Sequence, residues 1–199
     1  MGDAELLAAW HSGDKGAGSQ LFTRHFDALY RFFANKLPDD AEDLVQGTWM
    51  ACVRYEDSLR KAASFRAYLF AIARNELYRA LKGRSPSDEV DFSVSSMIDL
   101  GASPVSIAAA AERDRDLLGA LRAIPIDAQI VLELHYWEDL SGTELAEVLG
   151  VPQGTAKSRI RRAKALLAAA LSEETPVVAG DAMDQWVRSM RAKVALKSP

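Results

Sequence analysis

Five side chains near the end of the chain suit one kind of chemistry. Thr155, Lys157, Ser158, Arg161 and Arg162 crowd into the segment GTAKSRIRRAK. Arginine and lysine neutralise phosphates or donate to guanine edges, and serine and threonine hydrogen-bond to either. Ala156, Ile160, Ala163 and Leu167 recur at helical spacing between them, which leaves the five polar residues off the core-facing stripe. A second set lies in SFRAYLFAIARNELYRALK, where Arg66, Phe70, Arg74, Tyr78 and Lys82 alternate basic and aromatic groups every four residues, with Asn75 and Arg79 beside them. Cations track a phosphate backbone while aromatic faces stack on unpaired bases, so this spiral strip suits single-stranded nucleic acid. A third set lies in AEDLVQGTWMACVRY. There Leu44, Val45, Thr48, Trp49 and Cys52 form a core-facing stripe, and Asp43, Gln46 and Met50 occupy a neighbouring strip at i, i+3 and i+7. Any one set alone also fits the solvated face of an ordinary helical bundle.

The elements that must hold these residues are helices. Ser141 and Glu144 have the spacing of a capping box, so one helix starts at Gly142 or Thr143 and presents Leu145, Val148 and Leu149 on its apolar face. Ala146 is small where a second helix must approach, Gly150 allows a sharp turn with positive φ, and Pro152 suits the first turn of the next helix. Two helices joined in this way, with a basic face on the second, make a helix-turn-helix of the kind that enters the DNA major groove. Upstream, Leu117, Leu121, Ile124, Val131, Leu134 and Trp137 are expected to complete a second-domain core over 109–171, in helices of about 109–123, 127–136, 142–149 and 152–171.

Residues 1–83 read as a first helical domain with helices near 4–11, 19–36, 41–55 and 64–82, and with Leu21, Phe22, Phe26, Leu29, Tyr30 and Phe33 in its core. Between 84 and 108 Gly, Ser, Pro and Asp dominate, which predicts a flexible linker with Val90, Phe92 and Met97 as docking points. Beyond 172 a loop precedes one amphipathic helix at about 182–196 that carries Met183, Trp186, Val187, Met190 and Val194, expected to dock on the chain's own domains or on a partner. The fold class is therefore all-α: two small helical domains, the second a helix-turn-helix, and a helical tail.

Composition limits the chemistry. With 199 residues and a net charge of −4, the chain does not coat nucleic acid by bulk charge, and DNA contact must come from local basic patches. A lone cysteine, Cys52, makes neither an intramolecular disulfide nor a thiolate metal cluster, and the scattered His11, His25 and His135 lack metal-ligand spacing. No Gly-rich phosphate loop or catalytic triad is present, so no catalytic residue, metal or cofactor is expected. With no signal-peptide pattern and no apolar run of transmembrane length, membrane insertion is not expected and a cytoplasmic location is.

Three ordered motifs, AEDLVQ-x-T in 41–48, SFRAYLFAIARN in 64–75 and LSGTELAEVLGVPQGTAKSRIRRAK in 140–164, closely resemble the extracytoplasmic-function (ECF) class of bacterial RNA polymerase sigma factors, over about residues 1–171. The resemblance implies that Asp43, Leu44, Val45 and Gln46 bind the clamp helices of core RNA polymerase. It implies that the loop 55–63 and the helix after it melt and read the promoter minus-ten element, with Arg66, Tyr68, Arg74, Asn75 and Arg79 as the candidate residues. Thr155, Lys157, Ser158, Arg161 and Arg162 would read the minus-thirty-five element. The linker would thread along the polymerase active-site and RNA-exit path, and an anti-sigma factor commonly holds such proteins inactive. The chain departs from the family pattern in four places. Gly47 stands where an acidic residue is usual, which weakens its helix by roughly 1 kcal/mol relative to Ala. Tyr68 replaces a frequent Trp, and IPIDAQ at 124–129 lacks the usual basic residues. The tail, which would inhibit the chain if it covered the polymerase or DNA surface, is not part of the family plan. The main rival is a free-standing dimeric helix-turn-helix regulator, which would bind operator DNA tightly without polymerase.

Overall fold

Helix ends fall where the chain has capping chemistry. In the computed structural model, which describes residues 1–54, 64–84, 90–101, 112–171 and 181–190, α1 spans Asp3–His11 and α2 spans Lys15–Ala34. The α2 start precedes the Ser19 expected from sequence because the Asp14 carboxylate accepts from the Gly16 and Ala17 N–H groups at 2.8 and 3.2 Å. A 3₁₀ turn at Pro38–Asp40 leads into α3 (Ala41–Arg54), and α4 (Phe65–Arg84) closes the first domain. Its core gathers Leu6, Leu21, Leu29, Phe33, Val45, Trp49, Leu69 and Leu77. Two expectations change. Phe22 lies on the exposed side of α2, where its ring meets those of Phe26 and Trp49 at a tilt, each 5.4 Å between centroids. Phe70, expected on the basic-aromatic strip, is fully buried against Phe32, because α4 is packed on more than one side.

The second domain contains α5 (Glu112–Ala123), α6 (Ile126–Tyr136), α7 (Gly142–Leu149) and α8 (Gln153–Ala170). Leu117, Leu121, Ile124, Val131, Leu134 and Trp137 are all buried in its core, with Ala156, Ala163 and Leu167 from α8. Among the described residues the only strand-like pairing is an isolated bridge between Ser96 and Pro125, so the architecture is all-α. The expected loop at 55–63, the first residues of the 109–123 helix, the linker ends and the tail beyond 190 lie outside the described residues.

The two domains close on each other through polar groups. Lys36, at the end of α2, and Glu133, in the middle of α6, form an ion pair with both side chains almost fully buried. Asn35 and Gln129 donate to the same Glu133 carboxylate at 2.6 and 2.8 Å, and Arg122 donates to the Asn35 carbonyl at 2.6 Å. Removing one member of such a pair typically costs about 3–5 kcal/mol, because the other charge stays buried without a counter-charge. Part of the linker reinforces the closure. Phe92 and Met97, both expected docking points, are buried. The Phe92 ring stacks on Tyr78 of α4 at 4.2 Å, while the Phe92 and Ser95 carbonyls accept from the Asp127 and Ile126 N–H groups of α6 at 3.1 and 3.0 Å.

The described tail helix, α9 (Asp181–Met190), docks on the chain's own second domain. The Trp137 indole N–H donates to the Val187 carbonyl at 2.7 Å, and Val187 is buried. Asp184 accepts from the Tyr136 hydroxyl at 2.6 Å and pairs with Lys164 at 2.7 Å, and Arg188 pairs with Asp139 at 2.6 Å. Burying Val187 and sheltering Trp137 contributes about 2–4 kcal/mol. Truncation after Leu171 is therefore expected to lower the melting temperature by roughly 5–10 °C, measured by circular dichroism. An unchanged melt would mean that α9 contributes nothing to the second domain.

One buried and one half-buried histidine give stability a pH dependence. The His25 Nε2 lies 2.8 Å from the Asp3 carboxylate, yet burial outweighs that attraction and holds the imidazole below its ordinary 6.5. Burial likewise lowers His135. The unfolded chain takes up protons near pH 6.5 that the folded chain refuses. Stability is thus fully present above that value and falls as pH drops from it through each folded pKa. Melts from about pH 7.5 down to about 5.5 should show a falling melting temperature, with a flatter slope in His25→Gln/His135→Gln. An equal slope in wild type and variant would remove the histidines as its cause.

Candidate nucleic-acid interface

The helix-turn-helix forms as its residue types require. Ser141 Oγ accepts from the Glu144 N–H at 3.3 Å, and the Glu144 carboxylate accepts from the Ser141 N–H at 2.9 Å, which closes the capping box. At the other end of α7, Gly150 takes φ 64° and ψ 37°, a left-handed conformation that suits glycine. The Val151 N–H then reaches back to the Ala146 carbonyl at 3.0 Å, so the helix end is satisfied as the chain turns. Gln153, at the start of α8, donates to the Thr143 hydroxyl at 3.2 Å and ties the two helices across the turn.

On α8 the apolar and polar faces separate as the spacing predicts. Ala156, Ala163 and Leu167 are buried and Ile160 half-buried, while Thr155, Lys157, Ser158, Arg161 and Arg162 are all exposed. The fixed hand of the helix thus presents two hydroxyls, one ammonium and two guanidinium groups on one open surface. Ser158 Oγ donates to the Thr155 carbonyl at 2.8 Å, and Arg159 and Arg162 flank a shallow cavity of about 120 Å³ floored by Ala128, Val131 and Leu166. The contacts of α9 run to α6, Asp139 and Lys164, so the described tail leaves this face uncovered. The expectation that the tail covers the DNA-reading surface does not hold for the part described.

The second candidate set is divided. Asn75 and Arg79 of α4 are exposed, Arg79 with an ion pair to Glu76 at 2.7 Å. Tyr68 is buried, with its hydroxyl 3.4 Å from the Cys52 carbonyl, because it faces α3; in this conformation its ring offers no surface for stacking. Arg66 and Arg74 turn toward the second domain. The Arg66 guanidinium donates to the Glu138 carbonyl and lies 3.6 Å from its carboxylate. Arg74 Nη1 is 3.4 Å from the Val148 carbonyl, and its Nε donates to the Tyr78 hydroxyl at 2.8 Å. Tyr78 in turn donates to the Asp127 carboxylate. Burial, with that bond, raises the phenol well above its ordinary 10.0, so it stays protonated as a donor.

The third set is split by the helix period. Asp43, Gln46 and Met50 of α3 are exposed in a row and Leu44 is half-buried. Val45 is 1% exposed, as its place on the core-facing stripe predicts, so the docking role that the resemblance implies for it is not a surface contact; it supports the strip from the core side. Gly47 has open space about it: a Cβ there would meet only the Glu76 carboxylate at 3.8 Å, so no steric demand keeps the position a glycine. The residues that sequence reasoning missed are those of the interdomain contact: Lys36, Asn35, Arg122, Glu133 and Glu138. A charge inside the apolar run IVLELHYW was the available signal for Glu133. Among the described residues no group of His, Cys, Asp and Glu could hold a metal, and no helix is long and apolar enough to cross a membrane.

Comparison with known proteins gives these surfaces a family. Residues 21–86 match the family described as Sigma-70 region 2, and residues 114–167 match Sigma-70, region 4. The chain is 30% identical over 168 residues to the ECF RNA polymerase sigma factor SigM of Mycobacterium tuberculosis H37Rv, covering 83% of each chain. It is 27% identical over 172 residues to the ECF RNA polymerase sigma-E factor of Escherichia coli K12, covering 81% of this chain and 90% of that one. Among solved structures it is similar to CnrH in complex with the cytosolic domain of CnrY, with a TM-score of 0.61 and 27% identity over 84% of this chain and 95% of that one. It is also similar to the sigma factor RpoE in complex with the anti-sigma factor NepR from Bartonella quintana, with a TM-score of 0.57 and 29% identity over 77% and 95%. With both sigma-70 regions in order, an exposed basic helix-turn-helix face in the second and a SigM-like sequence across most of its length, the chain belongs to the ECF family of RNA polymerase sigma factors.

Proposed function

We propose that this chain is a promoter-specificity subunit that binds core RNA polymerase and directs it to two promoter elements, catalysing nothing itself. One observation carries the reading: a helix-turn-helix with five exposed DNA-type side chains on α8 is joined to a domain whose α3 presents Asp43 and Gln46 in a solvent-facing row. In this reading residues 1–83 hold polymerase and the minus-ten element, 84–108 link the domains, and 109–171 hold the minus-thirty-five element. Asp43, Gln46 and the exposed edge of Leu44 contact the polymerase, and Val45 holds their helix in place from beneath. Arg66, Arg74, Asn75 and Arg79 take the minus-ten element, with Tyr68 as a stacking surface only if its pocket opens. Thr155, Lys157, Ser158, Arg161 and Arg162 take the minus-thirty-five element.

The chemistry follows from where the charges sit. The cations of α8 dock phosphates and guanine edges in duplex DNA. Capture of unpaired minus-ten bases offsets the cost of unstacking them, so promoter opening draws on binding energy. Each site alone is weak on a chain of net charge −4, and polymerase joins them so that the second contact gains from effective concentration. An anti-sigma factor is the proposed inhibitory partner, by similarity to the RpoE–NepR complex.

The test is co-elution and run-off transcription with bacterial core RNA polymerase on a pool of random promoter sequences. Wild type should bind core and start at sites that share two spaced motifs. Asp43→Ala/Gln46→Ala should weaken core binding at least about tenfold, equivalent to roughly 1.4 kcal/mol. Arg161→Ala/Arg162→Ala should leave core binding intact and relax the upstream motif, at about 1–3 kcal/mol for each lost base contact. A protein that ignores core and selects duplex DNA by itself would be a free-standing regulator instead.

A further inference from the structure

The tail helix touches the second domain at the points that border its helix-turn-helix. At the end of α6, the Trp137 indole N–H donates to the Val187 carbonyl, and the Arg188 guanidinium lies 5.3 Å over the Tyr136 ring. In the turn between α6 and α7, Arg188 pairs with the Asp139 carboxylate at 2.6 Å. On α8, Lys164 pairs with Asp184 at 2.7 Å, and the same carboxylate oxygen accepts from the Tyr136 hydroxyl at 2.6 Å. Asp184 thus ties α8 to α6, and Arg188 ties the entry of α7 to α6.

Both ties fall at sensitive positions. Asp139 has φ 49°, and among the described residues it is the one non-glycine residue with a left-handed backbone. That conformation is uncommon for a residue with a side chain, and Arg188 holds the carboxylate of the residue that adopts it. Two residues on, Ser141 opens the capping box that starts α7. Lys164 follows Arg161 by three residues, so the two are neighbours on the surface of α8. The buried stripe of α8 is thin: two of its three fully buried side chains are Ala156 and Ala163, which offer few atoms to lock the helix at one angle. Burial would raise the Asp184 carboxyl, but the hydrogen bonds from Lys164 and Tyr136 hold it below its ordinary value, and the bond to Asp184 raises Lys164, so the pair stays charged.

We propose that α9 is an integral fifth helix of the DNA-binding domain, with Asp184 and Arg188 as positioning residues: they fix α8 and the entry of α7 against α6, and with them the angle at which α8 meets duplex DNA. The inference rests on the assignment of Thr155, Lys157, Ser158, Arg161 and Arg162 to duplex DNA. Reading bases requires several donors to meet their acceptors at once, so a face held at one angle loses less on binding than a face that must first be ordered. Phosphate contacts carry no sequence information and are made equally on any duplex. Half-exposed ion pairs of this kind add little to stability; their effect falls on sequence preference.

The experiment uses the full chain on duplex DNA without polymerase. Duplexes are enriched from a random pool at low salt, and affinity for the enriched duplex is compared with affinity for a scrambled one of equal composition. Asp184→Ala/Arg188→Ala removes one charge of each sign and keeps the Val187–Trp137 contact, so its circular-dichroism melt should stay close to wild type. Its preference for the enriched duplex should nevertheless fall about tenfold, the scale of one lost base contact, while its hold on the scrambled duplex stays unchanged. Asp184→Glu/Arg188→Lys retains both charges and should recover most of the preference. Gln185→Ala, at an exposed position of the same helix, should bind as wild type. Unchanged preference in the double alanine variant, an equal loss on both duplexes, no recovery in the charge-retaining variant, or a loss as large in Gln185→Ala would each overturn the proposal. Wild-type preference in Arg161→Ala/Arg162→Ala would remove the assignment of α8 to duplex DNA, and the proposal with it. Failure of wild type to bind core polymerase would count against the sigma-type function alone, because duplex preference is measured without polymerase.

Discussion

The architecture depends on one buried charge pair. Lys36 lies just beyond α2 of one domain, Glu133 lies within α6 of the other, and both side chains are almost fully buried. Removing two charges from water is expensive, and their mutual attraction repays it only when the remaining lone pairs and protons are also satisfied. Here they are. The Lys36 ammonium also donates to the Phe32 carbonyl at 2.9 Å and lies 4.1 Å over the Phe32 ring, while Asn35 and Gln129 supply the Glu133 carboxylate with further donors. The network has a defined geometry, so it specifies one relative placement of the domains where an apolar contact would allow several. It also divides the chain's surfaces, enclosing part of α4 and leaving the basic face of α8 in solvent.

Two peripheral segments add to this core, one across the domains and one on the second domain alone. Residues 90–101 give backbone acceptors to the first turn of α6 and an aromatic ring to α4, so one short stretch touches both domains. α9 braces the second domain alone, where its backbone carbonyl at Val187 satisfies the indole of the almost fully buried Trp137. A buried indole N–H without a partner would cost about 1–3 kcal/mol. Both segments combine a few hydrogen bonds with one or two buried apolar side chains, Phe92 and Met97 in the first and Val187 in the second.

The departures from the family pattern become intelligible in this setting. Asp127, within the IPIDAQ segment that lacks basic residues, is the acceptor for Tyr78. A lysine at that position would face Arg74 across the phenol and repel it. Gly47 finds no comparable reason: the space around it admits a side chain, and nothing in the structure explains the glycine.

Much of the local organisation was legible from residue types alone. The Ser141–Glu144 box, the positive φ at Gly150 and the apolar stripe of α8 each follow from short-range rules, in which a capping oxygen, a missing Cβ or a 3.6-residue period acts on its own neighbours. The exposure of Thr155, Lys157, Ser158, Arg161 and Arg162 could therefore be expected before any coordinates. Phe22, Phe70 and Tyr68 could not be placed, because periodicity does not say how many neighbours pack on a helix or from which sides, whereas the spacing did put Val45 on the core-facing stripe. The pairing of Lys36 with Glu133, of Arg66 with Glu138 and of Tyr78 with Asp127 was also out of reach. These partners are about 50 to 100 residues apart in the chain; a charge in sequence carries no record of its counter-ion, and only the tertiary placement of one domain on the other decides which cations remain free for a ligand.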